Sequence, residues 1–178
     1  MIEGIDLKRE AARLQDVEFA ERVEEPDRAQ PAAVQLSETD KALQRAEFLL
    51  DQEMFEEARA AFESAQDHAD GRNAQAAYGL ARVAIMEADP ELAREHFIDA
   101  AYLAEDDPHL RAMAYIYIGR IEDIVGNREE AVRNYELALE SGDTDDRTRK
   151  LAEDGIASPF RRPGSEASEE DGPEGEQP

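Results

Sequence analysis

Three histidines, His68, His96 and His109, are the only imidazoles in the chain, and imidazole is the side chain best suited to proton transfer near neutral pH and to metal ligation. None has a second histidine three or four residues away, the spacing that puts two ligands on one face of a helix, so a helical zinc or di-iron site lacks its usual frame. Cysteine is absent, which removes disulfides, thiol nucleophiles and cysteine-based zinc sites together. With 44 aspartates and glutamates, carboxylates meet by chance; paired acid–base catalysis needs a cleft that separates their environments, and no segment marks one. Gly79 and Gly119 fall inside helical patterns and no glycine-rich loop follows a strand, so a phosphate cradle has no support. Serine nucleophile motifs are missing too. The expectation is a chain that is not an enzyme, with no cofactor and no metal.

The formal net charge of −24 turns attention to partners. A phosphate backbone or an anionic membrane would be repelled, which excludes nucleic acid as a partner class. The basic residues are nearly all arginine, with lysine only at positions 8, 41 and 150. The opening MIEGIDLKRE carries charges throughout and no apolar run, unlike a secretory signal, and no segment reaches the roughly 18 apolar residues that span a bilayer. A cytoplasmic protein without membrane insertion is expected.

The elements that would position any site are helices. From Ala112 to Gly142, large residues at Tyr115 and Ile118 precede Gly119; Gly126 and Asn127 interrupt the pattern; Ala131, Tyr135 and Ala138 then recur at helical spacing. That spells helix, tight turn, helix, with small residues where the two helices approach. Upstream, residues 37–52 and 55–67 form a similar pair with Ala46, Ala58, Phe62 and Ala65, and residues 73–87 and 90–104 another with Ala81, Ala93, Phe97 and Ala100. Start signals agree. Ser37 with Asp40 three residues on approximates a capping box, and Asp89 before Pro90 and Asp107 before Pro108 each pair a capping side chain with a proline suited to the first turn. Gly126 and Gly142 fit the left-handed position that ends helices.

Ala58 and Ala93 lie 35 residues apart, Ala93 and Ala131 38. Over residues 37–142 the chain resembles the tetratricopeptide repeat family, in which an aromatic, a Leu-Gly pair and alanines recur within a unit of about 34 residues. The departures are Ala42, Ala77 and Tyr115 where that family favours tryptophan, and the lack of a proline near the end of each unit. The resemblance implies an all-α, right-handed α-solenoid of three helical hairpins. A further amphipathic segment at 144–158, capped by Asp143 or Thr144 and carrying Leu151, Ala152 and Ile156, is expected to close the stack, since a terminal unit otherwise exposes its apolar side. Phe160 is a candidate to extend that cover.

What the resemblance implies about function is a concave groove lined by the first helix of each hairpin. The position just after the small residue holds Glu47, Arg82 and Arg120; one turn earlier stand Leu43, Tyr78 and Ile116, and one turn later Leu50, Ile85 and Asp123, with Tyr117 nearby. Such a groove would hold a peptide or protein by packing while arginine forks take a carboxylate. The structural reading of the same arginines is that they pair with Glu47, Asp123 or other carboxylates and brace the repeats. The family's chaperone-tail clamp uses lysine and asparagine, which are missing from these positions. A structural or self-association module, or a detached segment of a larger multidomain protein, is the alternative to partner binding.

Both ends differ in composition from the repeats. Residues 1–36 contain a broken apolar stripe over 7–23 and a linker with Pro26 and Pro31, expected to form an arm. Residues 161–178 are expected to be a disordered acidic tail, since SEASEEDGPEGEQP holds six acidic and no basic side chains.

Overall fold

The computed structural model describes residues 36–143 and 145–162; the arm expected over 1–36, but for residue 36, and the acidic tail, but for residues 161 and 162, lie outside the described residues. Among the described residues the protein is all-α, with seven helices: α1 (Glu38–Asp51), α2 (Phe55–His68), α3 (Ala74–Met86), α4 (Pro90–Leu103), α5 (Pro108–Val125), α6 (Arg128–Glu140) and α7 (Asp146–Ala157).

The helix starts follow from local chemistry. Ser37 accepts the backbone N–H of Asp40 while the Asp40 carboxylate accepts that of Ser37, which completes a capping box. Asn73, Asp89 and Asp107 each accept from a backbone N–H three residues on. Gly126 ends α5 with φ +90°, a left-handed conformation that glycine adopts without a Cβ penalty. For α7 the cap is Asp145, one residue beyond the expected pair. Asp143 is drawn elsewhere, toward His109, and Thr144 is outside the described residues.

Consecutive helices pack as the hairpins α1–α2, α3–α4 and α5–α6, and the first helices also touch in a row, α1 to α3, α3 to α5 and α5 to α7. That is the arrangement of a helical-repeat solenoid. Each core cluster is built by one hairpin and the next first helix. Ala58, Phe62 and Ala65 of α2 meet Ala76, Leu80 and Val83 of α3; Ala93, Phe97 and Ala100 of α4 meet Ala114 and Ile118 of α5; Ala131, Tyr135 and Ala138 of α6 meet Ala152 of α7. Alanine dominates because the helix axes come close, and one aromatic per second helix fills what remains.

Three glycines make room for two of those aromatics, Gly79 for Phe62 and both Gly119 and Gly155 for Tyr135. A Cβ on Gly79 would lie 2.2 Å from the Phe62 ring, and one on Gly155 would lie 2.6 Å from the Tyr135 ring. Gly155 of α7 thus does for Tyr135 what Gly79 of α3 does for Phe62, so α7 seats as the first helix of a fourth, unfinished hairpin.

Ion pairs between hairpins repeat as well. Arg59 pairs with Glu87, and Arg94 with Glu122, each across 28 residues and each following the buried alanine of its helix, Ala58 or Ala93. Glu122 is only 4% exposed and also accepts from Asn127 at 2.9 Å. Sequence inspection missed this brace, although the Ala-Arg pairs at 58–59 and 93–94 carry it in plain view.

The closing helix is fastened at both ends. Near its start, Asp143 Oδ2 lies 3.0 Å from His109 Nδ1, and Thr148 Oγ1 lies 3.3 Å from the same nitrogen. Burial opposes ionisation of Asp143, but the Asp145 backbone N–H and the His109 and Thr148 side chains hold its carboxyl below the usual value. Near its end, Arg128 donates to the Ile156 carbonyl at 2.6 Å.

Candidate functional site

On α3 and α5 the side chains expected to face the groove form two adjoining clefts. The first, about 320 Å³, is lined by Leu50, Phe55, Arg82, Ile85, Met86 and Tyr117 among others. The second, about 330 Å³, is lined by Ile85, Tyr117, Arg120, Ile121, Ile124 and Phe160 among others. Ile85 and Tyr117 belong to both, so Arg82 and Arg120 stand on the same side of the molecule, in neighbouring clefts rather than in one. Ile85 is 38% exposed and Met86 56%, an apolar pair that the rest of the fold leaves open to solvent.

An aromatic cluster holds the floor. Phe97 stacks on Tyr117 with centroids 5.0 Å apart, and Tyr78 meets both rings edge-on at 5.3 and 6.1 Å. Burial pushes the Tyr78 phenol well above its ordinary value, with Tyr117 adding to the shift and Arg82 and Arg120 opposing it. A row of rings this well packed fixes the wall on which Arg82 and Arg120 are mounted.

The two arginines are engaged differently. Arg82 Nη1 donates to both carboxylate oxygens of Glu47, at 2.7 and 3.0 Å, and so ties α3 to α1. This is the bracing role weighed for it in the sequence. Arg120 places its guanidinium 5.2 Å from the Tyr117 ring centroid and 5.0 Å from that of Phe160. It lies between two aromatic faces, a favourable setting for a cation.

Two expected groove residues turn inward. Ile116 is 0% exposed and packs with Ala131 and Tyr135 in the last core cluster. The Asp123 side chain is enclosed, accepting from the Tyr135 hydroxyl at 2.9 Å, from Arg128 at 3.0 Å and from the Phe160 backbone N–H at 2.8 Å. The cause is the packing of α5 against α6. Gly119 and Asp123 face Tyr135 of α6: a Cβ on Gly119 would lie 2.7 Å from that ring, and the Tyr135 hydroxyl donates to Asp123. Tyr117 and Ile124 therefore line the second cleft in place of Ile116 and Asp123. Leu43 is half-buried against the first core cluster.

Chemically the clefts offer apolar and aromatic walls beside two guanidinium groups, which suits the side chains and backbone of an extended peptide. Among the described residues, no three histidine, aspartate or glutamate side chains gather as metal ligands would, and no helix is long and apolar enough to cross a membrane. No protein-family model matches the chain, and no curated protein matches it.

Proposed function

We propose that the chain is a non-catalytic scaffold of the tetratricopeptide type, working in the cytoplasm, that holds a peptide or protein partner against the first-helix face. The observation that carries this reading is the pair Ile85 and Met86, exposed beside Arg82 in a cleft lined by the stacked rings of Phe97 and Tyr117. Apolar side chains left open next to fixed polar groups are what a partner would cover. The repeated Ala-aromatic hairpins and the braces Arg59–Glu87 and Arg94–Glu122 support the repeat character.

Arg82 and Arg120 contribute less to capture in this reading than their charges suggest, since one is committed to Glu47 and the other to aromatic faces. The test is therefore placed on the apolar pair. Ile85→Glu with Met86→Glu should leave the helical circular-dichroism signal and unfolding midpoint close to those of the parent chain, yet lower the yield of co-purifying protein several-fold. Undiminished capture by the folded double variant would refute the cleft as the binding surface.

Self-association has one observation behind it. Ile98 and Tyr102 lie one turn apart on α4 and are 43% and 68% exposed. Sedimentation across a concentration series reads it directly: a dimer that Tyr102→Glu converts to monomer would favour that reading, and a monomer throughout would remove it.

A further inference from the structure

Residues 158–162, just beyond the end of α7, lie against the domain. Ser158 is extended, with φ −150° and ψ 144°, and two residues later the Phe160 backbone N–H donates to Asp123 Oδ2 at 2.8 Å. The Phe160 ring lies over the Arg120 guanidinium and lines the second cleft with Ile85, Tyr117, Ile121 and Ile124. Pro159 and Arg161 on either side are exposed. A short piece of non-helical polypeptide thus already sits in the second cleft, adjoining the one in which the preceding section seats a partner, and its contacts include the Phe160 main-chain hydrogen bond and the Phe160 ring.

The contacts it makes are general. Any residue except proline could donate the N–H that Asp123 accepts, and the ring meets a cation and aliphatic walls that any aromatic side chain would fit. Arginines flanking such a ring are favoured by the field of a chain whose net charge is −24. The strap carries Pro-Phe-Arg-Arg from 159 to 162. The second cleft still has about 330 Å³ of space beside the ring.

We propose that the second cleft is a receptor for an extended peptide with an aromatic residue next to arginine, and that residues 158–162 are the chain's own resident copy of that ligand, displaced when a partner segment of the same chemistry enters. This deepens the proposed function and rests on it. Being tethered only three residues from the end of α7, the resident copy competes at a high effective concentration, so a free peptide binds the intact chain weakly. Removing the ring opens the site.

The test uses the full chain and a fluorescein-labelled peptide copying residues 158–164, followed by fluorescence anisotropy at low salt. The Phe160→Ala chain should bind this probe about tenfold tighter than the parent, as loss of an intramolecular competitor requires. Adding Ile124→Asp to the Phe160→Ala chain should abolish binding, and a probe with alanine in place of its phenylalanine should bind neither chain. Circular dichroism confirms that each variant is folded. Equal affinity of the parent and Phe160→Ala chains, or binding that survives Ile124→Asp or loss of the probe's ring, would overturn the inference. A dimer of the parent that Phe160→Ala dissociates would also overturn it, since the strap would then be exchanged between copies. If the probe fails while Ile85→Glu with Met86→Glu still lowers capture, the strap inference falls and the broader cleft reading stands.

Discussion

Replacing Gly79 by alanine sets two known effects against each other. In the middle of a helix the change should stabilise by about 1 kcal/mol, because alanine loses less backbone freedom than glycine on folding. The new Cβ, however, would lie 2.2, 2.3 and 2.6 Å from three carbons of the Phe62 ring, where carbon atoms prefer roughly 3.5–4 Å. Phe62 is 0% exposed in a core cluster with Ala58, Ala65, Leu80 and Val83, so moving its ring disturbs buried neighbours. Overpacking of this kind costs about 1–3 kcal/mol, and a ring struck by a fixed backbone-borne atom belongs at or beyond the upper end. The net expectation for Gly79→Ala is a loss of about 2 kcal/mol. Urea unfolding followed at 222 nm should show a lower midpoint with an unchanged slope. Shrinking the ring supplies a second reading: Phe62→Leu should cost at least about 1 kcal/mol less when position 79 is alanine than when it is glycine, as expected of two residues in contact. Gly79→Ala that stabilises the protein by the full helix-propensity gain would refute the close approach of α2 and α3, and with it the stacking argument.

Two further outcomes follow from the buried polar groups. Arg94→Ala should destabilise by about 2 kcal/mol, because it strips the Glu122 carboxylate, 4% exposed, of one of its two partners, whereas Lys41→Ala at an open helix surface should cost under about 1 kcal/mol; chemical denaturation compares them. Burial raises the phenols of Tyr78 and Tyr135 well above their ordinary value of 10.0, so the stability they contribute is complete below pH 10 and is lost as the pH rises beyond it. Unfolding midpoints measured from pH 8 to pH 11 should fall at the alkaline end, and less so for Tyr78→Phe; a flat profile would contradict the burial.

The helices were legible because their ends are encoded by short-range chemistry. Ser37, Asp89, Asp107 and Gly126 act within three or four residues of themselves, and the boundaries they set agree with the structure within a residue. Hairpin pairing was legible from the recurrence of Ala58, Ala93 and Ala131 before Phe62, Phe97 and Tyr135. The site was only half legible. Arg82, Ile85 and Arg120 line the clefts as the repeat register sets them, but in α5 the Tyr135 hydroxyl of α6 takes Asp123 and Ile116 is buried in the last core cluster. No periodicity within α5 records that contact, because it comes from another helix. The Asp123–Phe160 link was hidden for a similar reason: it joins residues 37 apart through a backbone N–H, which has no sequence signature.

The reading of the first-helix face as a partner-binding surface is tested most directly by covalent capture. A photo-crosslinking residue installed in place of Ile85, and separately in place of Tyr102, should under irradiation in cells give adducts with a different protein from the first position and none from the second. Adducts from position 102 alone, or only adducts of the chain with itself, would contradict it.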